Sequence, residues 1–235
     1  MKLHILLLAV GSVAATALAG DSYSAGTAPA AGQTLGSWFL GASFGQLNDV
    51  GKGIDGNAFS TSGYYNARMG NLDFNMYNLQ IGCDLQPLAD GCGLAAYMEI
   101  GYLDGNVSLN ATPAIPNALI RNNFGMDAEI IPITANVKVE KVFFGPVSGY
   151  LSAGLGYAWT DYSGESLYVS SGGGGFYAQA SAGLIYNINQ QWELFGGARW
   201  LYLNGLGGAN IGLYNPAELK LQDSWAWEAG LRFNF

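Results

Sequence analysis

Seven charged side chains recur on one phase of alternating segments: Glu99, Lys138, Glu140, Glu193, Arg199, Glu228 and Arg232. Their chain neighbours are largely apolar, so in an extended backbone the charges point one way and the apolar side chains the other. Charges gathered inside a low-dielectric enclosure must pair or meet water, because burying one alone costs several kcal/mol. Arg199 and Glu228 lie on adjacent segments and suit a pair across strands or across an interior. Two chemistries fit such a set: a plug of salt bridges that fills an interior, or a selectivity or gating network in a narrow pore. The plug is the expected one.

Other arrangements say more by what they lack. The single histidine, His4, lies in the first few residues, inside a segment read below as removed. Without it a Ser-His-Asp arrangement is impossible, and no carboxylate, Lys or Tyr group is recognisably paired for acid–base work. No enzyme, cofactor or metal is therefore expected. Gly172 to Gly175 could suggest a phosphate loop, but no helix pattern follows it and a flexible loop is the reading. Asn106-Val107-Ser108 and Asn110-Ala111-Thr112 fit the N-glycosylation pattern and are read as ordinary loop residues. Asp49, Asp55, Asp104, Asp161, Glu165, Glu218 and Asp223 have no EF-hand-like spacing, so solvated loop is preferred to a Ca²⁺ site.

The elements that carry these residues are about ten residues long and alternate with period two. Eight are expected: Ser37–Gln46, Leu72–Cys83, Cys92–Tyr102, Glu129–Lys141, Ser148–Trp159, Phe176–Ile188, Trp192–Tyr202 and Ser224–Phe235. In the second the alternation slips between Met76 and Tyr77, which a bulge would explain. The connections alternate in length. Leu47–Asn71, Leu103–Ala128, Thr160–Gly175 and Leu203–Asp223 are long; Asp84–Gly91, Val142–Val147 and Asn189–Gln191 are short. One face of most strands is apolar throughout, and the other mixes Gly, Ser, Gln and isolated charges. Aromatics gather near strand ends, Trp38, Trp192, Phe233 and Phe235 at one, Trp159, Trp200, Tyr202 and Trp225 at the other. Alternating loop lengths, apolar outer faces and two aromatic girdles predict an all-β fold, an antiparallel up-and-down transmembrane barrel of eight strands.

Composition agrees. Charged residues are 11% of 235, far below the ~25% of an average soluble chain. Lys2, the mostly apolar run Ile5 to Leu18 and the small residues Ala17 and Ala19 form a secretory signal peptide over residues 1–19. Residues 20–36 are a flexible periplasmic leader rich in Ala, Gly, Ser, Thr and Pro, and residues 37–235 are the barrel. Loss of Lys2 leaves eight Lys+Arg against 17 Asp+Glu, a formal charge of −9, which gives no support for nucleic-acid binding. Cys83 and Cys92 flank a short turn in an exported chain, so a stapling disulfide is expected, with inert buried thiols as the alternative.

The last segment, WAWEAGLRFNF, ends with Leu231, Phe233 and Phe235 at alternate positions. It resembles the C-terminal signal that barrel-assembly machinery recognises in outer-membrane proteins. IPITANVKVEKVFFGPVSGYLSAGLGYAW, from Ile131 to Trp159, is similar to a strand-turn-strand unit of the small eight-stranded barrels: OmpX, the OmpA transmembrane domain and the opacity-type surface proteins. The resemblance implies a bacterial outer-membrane location among lipid and lipopolysaccharide, with assembly by that machinery. The expected function is non-enzymatic: an envelope-structural role, or surface interaction with an extracellular ligand through the long loops. The alternative is a narrow channel or transporter for small solutes or hydrophobic molecules, since eight strands leave no room for a general diffusion pore.

Overall fold

The computed structural model describes residues 37–49, 60–61, 65–87, 92–113, 122–164, 169–210 and 216–235. The expected signal segment, with Ala17 and Ala19, and the leader 20–36 lie outside the described residues.

Among the described residues there are nine strands: β1 Trp38–Asp49, β2 Ser60–Thr61, β3 Tyr65–Pro87, β4 Cys92–Pro113, β5 Asn122–Phe144, β6 Val147–Gly164, β7 Val169–Asn187, β8 Trp192–Asn210 and β9 Pro216–Asn234. Sequential strands pair antiparallel from β3 to β9, and β1 pairs with both β3 and β9. That second pairing closes an eight-stranded up-and-down barrel, with the two-residue β2 laid along the far end of β3. Closure leaves the membrane-level wall without a free edge, which a sheet in lipid requires.

The register sets the tilt. A path of opposed residues runs from Ser37 through Asp84, Ala95, Lys138, Ser152, Ser181, Arg199 and Ala226 back to β1 at Leu47, ten residues from its start. Residues at one height therefore shift by roughly one to two positions per strand. This offset brings Glu99, Arg199 and Glu228 to one level although no two of them are direct register partners.

The outside is apolar. Leu151, Leu155, Val137, Leu184 and Leu194 are all exposed, while the residues between them on β5 and β6, such as Lys138 and Ser152, are buried. A soluble protein would hide the first set; a barrel wall in lipid shows it. Trp192, Phe233 and Phe235 pack in series at the end with the tight turns. Trp159, Trp225 and the stacked pair Trp200–Tyr202 stand toward the other end.

The turn between β5 and β6 shows how local sequence closes a hairpin. Phe144 opposes Val147 across Gly145-Pro146, and Gly145 has φ of 51°. Two-residue hairpin turns demand a positive φ at the first central position, which glycine adopts without steric cost. A register shift between Val142 and Phe144 puts both Phe143 and Phe144 outside.

The structure corrects two expectations about the strands. No bulge lies between Met76 and Tyr77: the register is unbroken there, and breaks fall at Met69/Leu72 and Asp84/Gln86. Met76 and Phe74 point inward, so apolar residues occupy the interior phase at that height. The strands outrun the expected ten residues, and β3, β4 and β5 have 22 or 23 each. Much of the expected loop sequence is thus strand: β4 runs on to Pro113 and β5 begins at Asn122. Toward that end the outward residues turn polar, as at Asp73, Asp104, Asp127 and Glu129, which removes the apolar outer face that marks a strand.

Candidate functional site, a tiered barrel interior

The interior side chains form three tiers. Nearest the tight turns, Lys138 and Arg232 each contact Glu140, and Arg232 also contacts Glu193. Glu193 accepts a further hydrogen bond from Asn234 at 2.6 Å. Both cations lie over the fully buried Phe39 ring, Lys138 Nζ 4.9 Å and Arg232 Cζ 4.8 Å from its centroid. A desolvated cation over an aromatic face is worth about 2 kcal/mol. Gly82 makes the space: a Cβ there would stand 2.7 Å from Phe39 Cζ and 2.4 Å from the Ala96 carbonyl. Ser37 Oγ donates to Asp84 Oδ2 at 2.7 Å at the rim.

The middle tier is centred on Arg199. Its Nε donates to Glu228 Oε2 at 3.0 Å and its Nη2 to Glu99 Oε2 at 3.1 Å. Nη1 donates to Glu99 Oε1 and to Gln179 Oε1, and Nη2 also to Glu228 Oε2. All five donor bonds run to groups on β4, β7 and β9, so one guanidinium ties three walls together across the interior. Gln179 Nε2 donates to Glu99, Thr134 and Asn136, and Tyr150 donates to Glu228. Arg199, Glu99 and Glu228 are each at most 5% exposed. The planar fork of Arg suits such two-sided carboxylate binding where Lys would not.

The third tier, toward the long connections, is apolar. Leu47, Phe74, Met76, Leu103, Ile130 and Leu203 are buried there, with Tyr177, Leu201, Ala158 and Ala226 completing the ring.

All seven charged residues singled out in the sequence are buried, and they divide into two clusters. Four meet in the lower tier and three in the middle one. Sequence reasoning missed Phe39, Gln179, Tyr150 and the apolar tier. The usable signal for Phe39 was its phase, since it stands between the outward Trp38 and Leu40.

The structure holds no bond between Cys83 and Cys92, the pair expected to form a disulfide. Cys83 and Cys92 are free thiols. Cys83 stands opposite Trp38 and Ala96, and Cys92 stands opposite Lys141. Four residues of β4 between Cys92 and Ala96 amount to about 13 Å, twice the Cα separation that a disulfide bridges. The turn had been placed too early: β3 continues to Pro87 through the irregularity at Asp84/Gln86, which displaces Cys83 from the hairpin's end. The terminal residues Leu231 and Phe235 are exposed on the outer wall of β9, with Phe233 opposite Leu40 and Trp192.

Among the described residues, no group of three or more His, Cys, Asp or Glu is arranged to hold a metal ion. The carboxylates of both charged tiers are instead directed at guanidinium and ammonium groups.

No protein-family model and no curated protein sequence matches the chain. Solved structures do match. Neisserial surface protein A superposes with a TM-score of 0.53 at 12% identity, over 84% of this chain and 97% of its own. The outer membrane protein OprG from Pseudomonas aeruginosa superposes with a TM-score of 0.50 at 14% identity, over 87% of this chain and 98% of its own. Closed antiparallel topology, apolar outer wall and these superpositions agree: the fold is that of the small eight-stranded outer-membrane β-barrels.

Proposed function

We propose that the protein is a non-enzymatic, non-conducting β-barrel of a bacterial outer membrane, exported by a signal peptide cleaved after Ala19. Its role is to anchor the envelope mechanically and to present the strand ends and long connections for surface contact. The observation that carries this reading is Arg199, whose hydrogen bonds to Glu99, Gln179 and Glu228 span the interior from β4 to β9. A side chain held by five bonds is a cross-brace rather than a mobile gate. The lower tier adds a second closure around Phe39. Lipid and lipopolysaccharide meet the outer wall, and Leu231, Phe233 and Phe235 supply the terminal signal for barrel-assembly machinery.

Envelope and surface roles separate in a strain lacking the protein. Deoxycholate sensitivity is measured after complementation with wild type or with a variant in which residues 160–175, the far ends of β6 and β7 with their connection, are replaced by a two-residue turn. Equal rescue by the shortened barrel assigns the role to the wall. Rescue by wild type alone assigns it to the extended end. No rescue by either, with both proteins folded in the membrane, contradicts the proposal.

A further inference from the structure

We infer that the outer wall of β1 and β3 is a lipid-thinning surface. Headgroups of the leaflet nearest the long connections descend there to Gln46 and Asn75, so the bilayer is thinnest beside these two strands. This sector belongs to the lipid-facing wall of the proposed function and rests on that placement.

A row of outward polar residues marks the upper margin of the apolar wall. Gln46 opposes Asn75, Asn75 opposes Asp104, Asp104 opposes Glu129, and Glu129 opposes Asp161. All but the half-buried Gln46 are exposed. The next outward residue toward the tight turns on each strand is apolar or aromatic: Phe44, Tyr77, Tyr102, Ile131 and Trp159. This margin is not level. The offset from Ser37 to Leu47 around the barrel lifts a row by about 3 Å at each strand, with about 2.4 Å of height per residue. Gln46 therefore stands about 12 Å below Asp161. Its level falls between Leu155 and Tyr157 on β6 across the barrel, both exposed on the apolar wall.

The aromatic residues follow the same slope. Phe44 packs with Tyr77 at 5.4 Å and with Trp227 at 5.6 Å between ring centroids. On β6 the corresponding pair is Tyr157 and Trp159 at 5.1 Å. Trp and Tyr settle at headgroup level, and the first cluster lies about 8 Å below the second.

The lower edge, by contrast, is level. Trp38, Lys141, Tyr186, Trp192 and Phe235 are all exposed and stand within about 4 Å of one height. Leaning of the whole barrel would slope both edges alike, so a slope at one edge alone is a change in thickness. Above the lower edge the apolar wall rises about 15 Å on β1, to Phe44, and about 27 Å on β6, to Trp159. A bilayer meets a short apolar span by thinning, because amide and carboxylate groups held in hydrocarbon lose their water.

Spin labels on single cysteines, in the Cys83→Ser/Cys92→Ser background, test this in the refolded protein, residues 20–235, in dioleoyl phosphatidylcholine vesicles. Accessibility to oxygen relative to a nickel chelate gives the depth of each label. Labels at Gln46→Cys and Asn75→Cys are expected at the depth of Asp161→Cys, with Leu155→Cys in hydrocarbon. For Gln46 that is a shift of about 12 Å from its place in a level bilayer. Trp38→Cys and Lys141→Cys should read equal depths. A Gln46 label as deep as the Leu155 label overturns the inference. Unequal depths at Trp38 and Lys141 that match the upper slope also overturn it, because the barrel then leans. A wet Leu155 label removes the lipid-facing wall itself, and the inference with it. Should labelled variants fail the heat-dependent gel-mobility test of folding, bilayer thickness decides. Wild type should unfold at higher urea in dimyristoleoyl than in dierucoyl phosphatidylcholine, and Gln46→Leu/Asn75→Leu should shrink that difference. An unchanged difference overturns the inference.

Discussion

Replacing Arg199 with Met removes the centre of the middle tier while keeping most of its volume. Five hydrogen bonds disappear, and Glu99 and Glu228 remain buried with no cation to face. Breaking a buried ion pair by deleting one partner costs about 3–5 kcal/mol, chiefly the penalty on the stranded charge. Here two carboxylates are stranded at one level, with Gln179 and Tyr150 as the remaining donors to offset part of the cost, so the middle of that range is expected. The assay is urea unfolding in lipid vesicles, read by the mobility difference between folded and unfolded barrel in unheated gels. Arg199→Met should lower the unfolding free energy by about 4 kcal/mol. Adding Glu99→Gln and Glu228→Gln to it should restore most of that loss, because the cost lies in unpaired charge rather than in the missing arginine. A loss below about 1 kcal/mol from Arg199→Met, the scale of an exposed pair, would refute the buried cross-brace. So would a triple variant no more stable than the single one.

Two further predictions concern the wall and its thiols. Both Cys83 and Cys92 should react with a small membrane-permeant maleimide in the oxidised, folded protein, and Cys83→Ser/Cys92→Ser should unfold at the same urea concentration as wild type; mass spectrometry showing a linked pair would contradict the register. Leu151→Arg, on the lipid-facing phase of β6, should cost about 2–4 kcal/mol, whereas Ser163→Arg, exposed beyond the apolar belt, should cost under about 1 kcal/mol; equal costs would contradict the placement of the wall in lipid.

The parts of this fold that the sequence announces are those where lipid lies on one side and an interior on the other. In β5 the outward Ile131, Ile133, Ala135, Val137 and Val139 alternate with Pro132, Thr134, Asn136, Lys138 and Glu140, and the burial follows that alternation. The charged phase told which residues turn inward, but not that they form two separate clusters. That partition depends on tilt, which a single strand does not encode. Phe74 and Met76 mislead because an apolar residue is expected to face lipid, whereas at the third tier the apolar residues face inward and Asp73 and Asn75 beside them are exposed. The strand ends were lost for the opposite reason, since Asp104, Asn106, Asp127 and Glu129 are polar and exposed within continuous strands. Cysteine spacing likewise carries no register: β3 runs on past Cys83 to Pro87, which separates two thiols that proximity in sequence suggests are joined.

The central claim is that the interior is closed, and planar-bilayer recording of the refolded protein, residues 20–235, tests it most directly. With the barrel shown folded by heat-dependent gel mobility, the account predicts a silent bilayer for wild type. Reproducible conductance steps that change amplitude or selectivity in Glu228→Gln would contradict it, because ions would then be passing the level that Arg199 braces.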